Sequence, residues 1–92
     1  MVMLDSVLVP VRGAELSDAA GQPVLLEADG VVVRGLNATA ARVWRLLDGQ
    51  RSVRDVAHAL AAELGVDPMV LEVDVAGFAA ELLRLRLVSE RE

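Results

Sequence analysis

Cysteine is absent from the chain, as is lysine, and aromatic residues make up only 2% of it, Trp44 and Phe78 being the sole rings. The missing thiols exclude a disulfide framework, a thiolate metal site and a cysteine nucleophile, so packing alone must supply stability. With 54% hydrophobic residues and almost no rings, the core must be built from Leu, Val and Ala. No apolar run approaches the roughly 18 residues that a membrane span requires. The first residues, MVMLDSVLVPV, have neither a basic n-region nor an A-x-A cleavage pattern, which gives the cytoplasm as the expected address and no membrane partner. No G-x-G-x-x-G or Walker pattern occurs, and Gly30 and Gly35 merely bracket a strand.

What is present is short and acidic. A chain of 92 residues holds one core, burying roughly 65% of the surface its unfolded form exposes, so residues 1–92 are expected to form a single domain. Net charge is −5, distributed as −3 over residues 1–35, +1 over 36–64 and −3 over 65–92. Such a field repels the phosphate backbone that supplies most non-specific nucleic-acid affinity.

The first third reads as strands. Val7 to Arg12 is an apolar run whose Pro10 confines it to a sheet edge or a strand end. Beyond a polar loop containing Gly13, Asp18 and Gly21, Asp29-Gly30 supplies hairpin turn residues between strands at Val24 to Glu27 and Val31 to Arg34. Three helices follow. Asn37 caps the first, with apolar residues Ala40, Val43 and Leu47, and Gly49 ends it. Ser52 and Asp55 form a capping box for the second, which carries Val53, Val56, Ala57, Leu60, Ala61 and Leu64 on one face and stops at Gly65. Asp67 and Pro68 start the third, which runs to about Leu85. The tail from Leu87 to Glu92 has too few apolar residues to pack far. The fold class is α+β: a small winged helix-turn-helix, with a three-stranded antiparallel sheet followed by three helices.

The third helix carries two apolar stripes. Leu71, Val75, Phe78, Leu82 and Leu85 share one direction; Val73, Ala76, Ala80, Leu83 and Leu87 lie on the far side. A helix entering the major groove reads bases with Arg, Lys, Asn or Gln near its N-terminus, but here those positions are Met69, Val70, Leu71 and Glu72. Such a helix asks for a protein or peptide. The strand Val31 to Arg34 has no Lys, Pro or bulge to blunt it, so at a sheet edge it would offer open N–H and C=O groups to another strand.

Three motifs, PVLLEADGVVV, LNATAARVWRLLDGQRSVRDV and DVAGFAAELL, lie in the span from Pro23 to Val88, about two thirds of the chain. In them the chain resembles the PqqD family, small winged helix-turn-helix proteins of pyrroloquinoline quinone biosynthesis, and more widely the recognition elements that bind leader peptides of ribosomally made, modified peptides. The middle motif is the most specific, with Leu-Asn, Thr-Ala, Trp, Leu-Leu-Asp-Gly and Ser-Val in order. The resemblance implies a non-catalytic adaptor that binds a precursor's leader as an added strand and presents it to a peptide-modifying enzyme, such as a radical-SAM enzyme, a protease or a cyclase. The positions it implies are Val31, Val32, Val33 and Arg34 on the strand and Leu71, Asp74, Val75, Phe78 and Leu82 on the helix. Two features depart from the family pattern: Arg86 stands where a Gly is usual, and the aromatic residues around the hairpin are missing.

No catalytic constellation is visible, and no metal or other cofactor is expected. His58 is the only histidine and has no second ligand type beside it. Asp67 is explained as a cap and not as an acid-base partner of Asp74. Arg42, Arg45, Arg51 and Arg54 read as solvated helix faces. Two other readings remain open at the level of sequence: a winged-helix regulator binding DNA through those arginines, and a structural domain that forms a homodimer through the second stripe of the last helix.

Overall fold

The structure is a computed structural model and describes residues 2–27 and 29–91. In chain order the elements are β1 (Leu8–Pro10), β2 (Glu15–Ala19), β3 (Gln22–Leu26), β4 (Val32–Gly35), α1 (Ala38–Leu46), α2 (Val53–Leu64), α3 (Pro68–Arg84) and β5 (Val88–Glu90). The expected three-stranded antiparallel sheet and three helices are present, but the sheet has a different membership. Its order is β2-β3-β4, while β1 leaves it to pair with β5 in a separate two-stranded sheet.

The polar segment read as a loop is strand β2. Its sequence ELSDA is exposed at four of five positions, so it has no alternation to reveal it. It is ordered by its ladder to β3, from Glu15 opposite Leu26 to Ala19 opposite Gln22. The turn between them is Ala20-Gly21, with φ of 54° and 84°, the pair of positive values that suits a tight hairpin. Asp29-Gly30 instead sits in a wider connection, where Gly30 N–H donates to the Glu27 carbonyl at 2.9 Å and Val31 N–H to the Asp29 carboxylate at 3.0 Å. A register shift at Leu25 and Leu26 accommodates it.

The helix starts are where the capping residues place them. Asn37 accepts from Ala40 N–H, Ser52 and Asp55 form the reciprocal capping box, and Asp67 accepts from Met69 N–H. In the turn before α2, the N–H groups of Arg51 and Gln50 donate to the Asp48 carboxylate, which holds its pKa below the ordinary value. The core is aliphatic apart from Trp44, and its fully buried side chains include Leu8, Leu25, Leu47, Leu60, Leu82 and Leu87.

The C-terminal tail corrects the sequence reading. Leu87 and Val88 are 1% and 2% exposed, and β5 pairs Val88 with Pro10 and Glu90 with Leu8. Two apolar residues suffice because the chain reverses sharply at the end of α3. Arg86 takes φ of 62°, and the N–H groups of Arg86 and Leu87 donate to the carbonyls of Leu83 and Leu82 at 3.0 Å each. This is a Schellman closure with arginine in the place of glycine. It folds Leu87 back under the helix.

Two outcomes are expected from this closure. Arg86→Gly relieves a left-handed conformation that costs an L-residue about 1 kcal/mol, so the midpoint of urea unfolding should rise. Leu87→Ala empties a buried site and should destabilise by about 2–5 kcal/mol in the same measurement, although it lies only a few residues from the chain end.

Candidate functional site

Strand β4 is an edge of its sheet, with β3 on one side only. The Leu36 N–H donates to the Pro23 carbonyl at 2.8 Å, and Glu27 N–H donates to the Val31 carbonyl at 3.0 Å. In an antiparallel ladder the residue next to an inward-bonded one turns its backbone polar groups away. Gly35 and Val32 are those neighbours, so their N–H and C=O groups face the open edge. Val31 and Val32 are each 54% exposed, and Val33 is half-buried. The other edge, β2, is also open but bears Glu15 and Asp18, the kind of charge that discourages strand pairing. Beside it a cleft of about 620 Å³, with no α3 residue in its wall, is lined by residues that include Leu16, Asp18, Trp44 and Arg45.

Helix α3 divides into three faces. Leu71, Val75, Ala79 and Leu82 are buried, with Leu82 fully enclosed at 0% exposure. Of the helix positions singled out from the sequence, Leu82 therefore supports the groove from within the core and has no surface to offer a peptide. The flank toward β4 carries Leu71, Asp74, Val75 and Phe78. These four line a cavity of about 270 Å³ together with Arg34, Asn37, Thr39, Ala40, Val43 and Leu60. Arg34 is thus the one β4 residue that reaches the cavity wall. The outward stripe is reduced from the sequence reading: Val73 is 74% exposed and Ala80 is exposed, but Ala76 and Leu83 are half-buried and Leu87 is core.

Arg34 links the two walls. Its guanidinium bonds the Glu81 carboxylate on α3 and lies over the Phe78 ring, 5.6 Å from the centroid, within cation–π range. Its Nε is buried and has no hydrogen-bond partner among the described residues. Glu81 was not singled out from the sequence. The signal was available, because Asp74, Phe78 and Glu81 are spaced i, i+4, i+7 on one helix face and Arg34 is the only cation in the strand. Asn37, Thr39, Val43 and Leu60 join the cavity only through tertiary packing and carried no such signal.

The arginines of the middle segment are largely committed to local acids. Arg42 pairs with Glu63 at 3.3 Å, Arg51 with Asp48 at 2.7 Å, and Arg54 with Asp5. Paired exposed cations make a weak phosphate-binding surface. His58 Nε2 lies 2.7 Å from Glu72 Oε2, joining α2 to α3. Among the described residues there is no cluster of His, Cys, Asp and Glu that could hold a metal, and no helix is long and apolar enough to cross a membrane.

The family model described as coenzyme PQQ synthesis protein D matches residues 23–88. No curated protein matches in sequence. Among solved structures, the chain is similar to the PqqD truncation of Methylobacterium extorquens PqqCD, described as a functional and stand-alone recognition element for ribosomally synthesised and post-translationally modified peptides. The identity is 25%, with a TM-score of 0.81 over 97% of this chain and 95% of that one. It is similar also to TbiB1 in complex with the TbiA(beta) leader peptide (25% identity, TM-score 0.73, 91% of this chain and 98% of that one). A lasso peptide synthetase B1 complexed with its leader peptide matches equally (25% identity, TM-score 0.73, 90% and 98%). A match over more than half of the chain, carried by the hairpin, the three helices and the start of β5, shows that this chain belongs to the PqqD family.

Proposed function

We propose that this protein binds the leader segment of a ribosomally made precursor peptide as an added strand on β4 and delivers it to a separate modifying enzyme, a radical-SAM enzyme, a protease or a cyclase. The observation that carries the reading is the unpaired, valine-rich edge of β4 beside the apolar cavity against α3. Strand addition supplies affinity through backbone hydrogen bonds at Val32 and Gly35, and the cavity supplies specificity by accepting one side chain of the added strand. Val31, Val33 and Phe78 form the apolar approaches, and Arg34 and Asp74 form the polar rim. The two solved relatives bound to leader peptides support the same ligand class. The whole chain acts as one domain with an adaptor's role, without a reaction of its own, and works in the cytoplasm, where newly made precursors are available.

The test is an amide-resolved NMR titration of the labelled protein with leader peptides of short precursors encoded beside its gene. Shifts are expected at residues 31–35 and along the α3 flank from Leu71 to Phe78. Val32→Pro deletes an outward donor at the edge and should weaken binding about tenfold or more, a little beyond the net worth of one hydrogen bond, with helix content by circular dichroism unchanged. Normal binding by that variant would refute the groove. So would leader-insensitive spectra in which duplex DNA shifts the amides from Arg42 to Arg54 and binding collapses steeply with salt.

A further inference from the structure

The charges around the cavity do not balance, and the imbalance has a sign. Arg34 is the only basic residue in its wall, and its charge is already met by Glu81. Asp74, on the rim between Leu71 and Phe78, is exposed and has no hydrogen-bond or ion-pair partner among the described residues. The chain as a whole carries −5. A peptide bringing a carboxylate to Arg34 would set it beside Glu81 and Asp74. What the rim lacks is a cation.

Resting on the reading that a peptide strand occupies this groove, we propose that the groove selects strands with an apolar anchor for the cavity and a lysine or arginine placed to pair with Asp74. The apolar wall of Val43, Leu71, Val75 and Phe78 takes the anchor, and Asp74 reads the basic neighbour. The acidic field of the whole chain favours the same partner by speeding the approach of a basic segment. Because Asp74 is exposed before binding and only partly desolvated after it, the pair contributes selectivity more than affinity, worth about two- to tenfold in Kd.

The probe is a displayed library of random 12-residue peptides, selected on the immobilised full-length protein and, in parallel, on Asp74→Lys and Val32→Pro. Peptides enriched on the unaltered protein should carry Lys or Arg at a constant spacing from an apolar residue. On Asp74→Lys that position should shift to Asp or Glu. For one selected peptide, replacing the basic residue by Gln should weaken binding about two- to tenfold on the unaltered protein and have no effect on Asp74→Asn, a variant whose exposed site preserves the fold. Enriched peptides that require an intact Val32 but show no basic preference, or the same preference on Asp74→Lys, would overturn the charge selection and leave the strand groove standing. No enrichment at all, or enrichment that Val32→Pro leaves untouched, would overturn the groove itself and this inference with it.

Discussion

Burial of the inner face of α3 is the contact on which the rest of the structure depends. Leu71, Val75, Ala79 and Leu82 join the α2 residues Val56, Ala57, Leu60 and Ala61 in one cluster with Leu8, Leu25 and Leu87. In a domain this small there is no second core to hold α3 if that face is lost. The aliphatic composition makes the fit depend on interdigitation of branched chains, with Trp44 the one large ring inside. The same burial sets the position of the helix flank that carries Asp74, Phe78 and Glu81, and hence the width of the groove beside β4.

The groove exists because two elements that could have closed on each other are held apart. β4 bonds β3 and stops; its second side is left open. The Arg34 side chain crosses to α3, through Glu81 and over Phe78. A strand edge normally needs charge or proline to keep it from aggregating, and β2 on the opposite edge has its acids for that purpose. The bare valines of β4 carry no such device, and the proposed peptide strand would cover them.

Much of this was legible in the residues. The caps at Asn37, Ser52 and Asp67 mark the helix starts because each offers an oxygen to otherwise orphaned N–H groups, a local interaction that needs no distant partner. The candidate strand and helix flank were legible for a similar reason: valines without a blunting device and an apolar helix start without basic residues are local facts. Strand β2 was not legible, since ELSDA has no alternation and is a strand only by virtue of the neighbour it pairs with. The packed tail was hidden too, because its burial follows from a left-handed turn at Arg86, a conformation that an arginine does not announce.

The sequence by itself therefore determined the aliphatic core, the three helices and their starts, the exclusion of thiol chemistry, and the family to which the motifs belong; the first helix ends at Leu46, short of the Gly49 stop that the sequence offered. These depend on composition, periodicity and capping, which act over a few residues. Only the tertiary structure decided which strands share a sheet, that β1 closes with β5, that Leu82 belongs to the core while Phe78 faces the groove, and that Glu81 takes the charge of Arg34 and leaves Asp74 free. Each of these joins residues distant along the chain, and such pairings are chosen by the shared burial of the whole core.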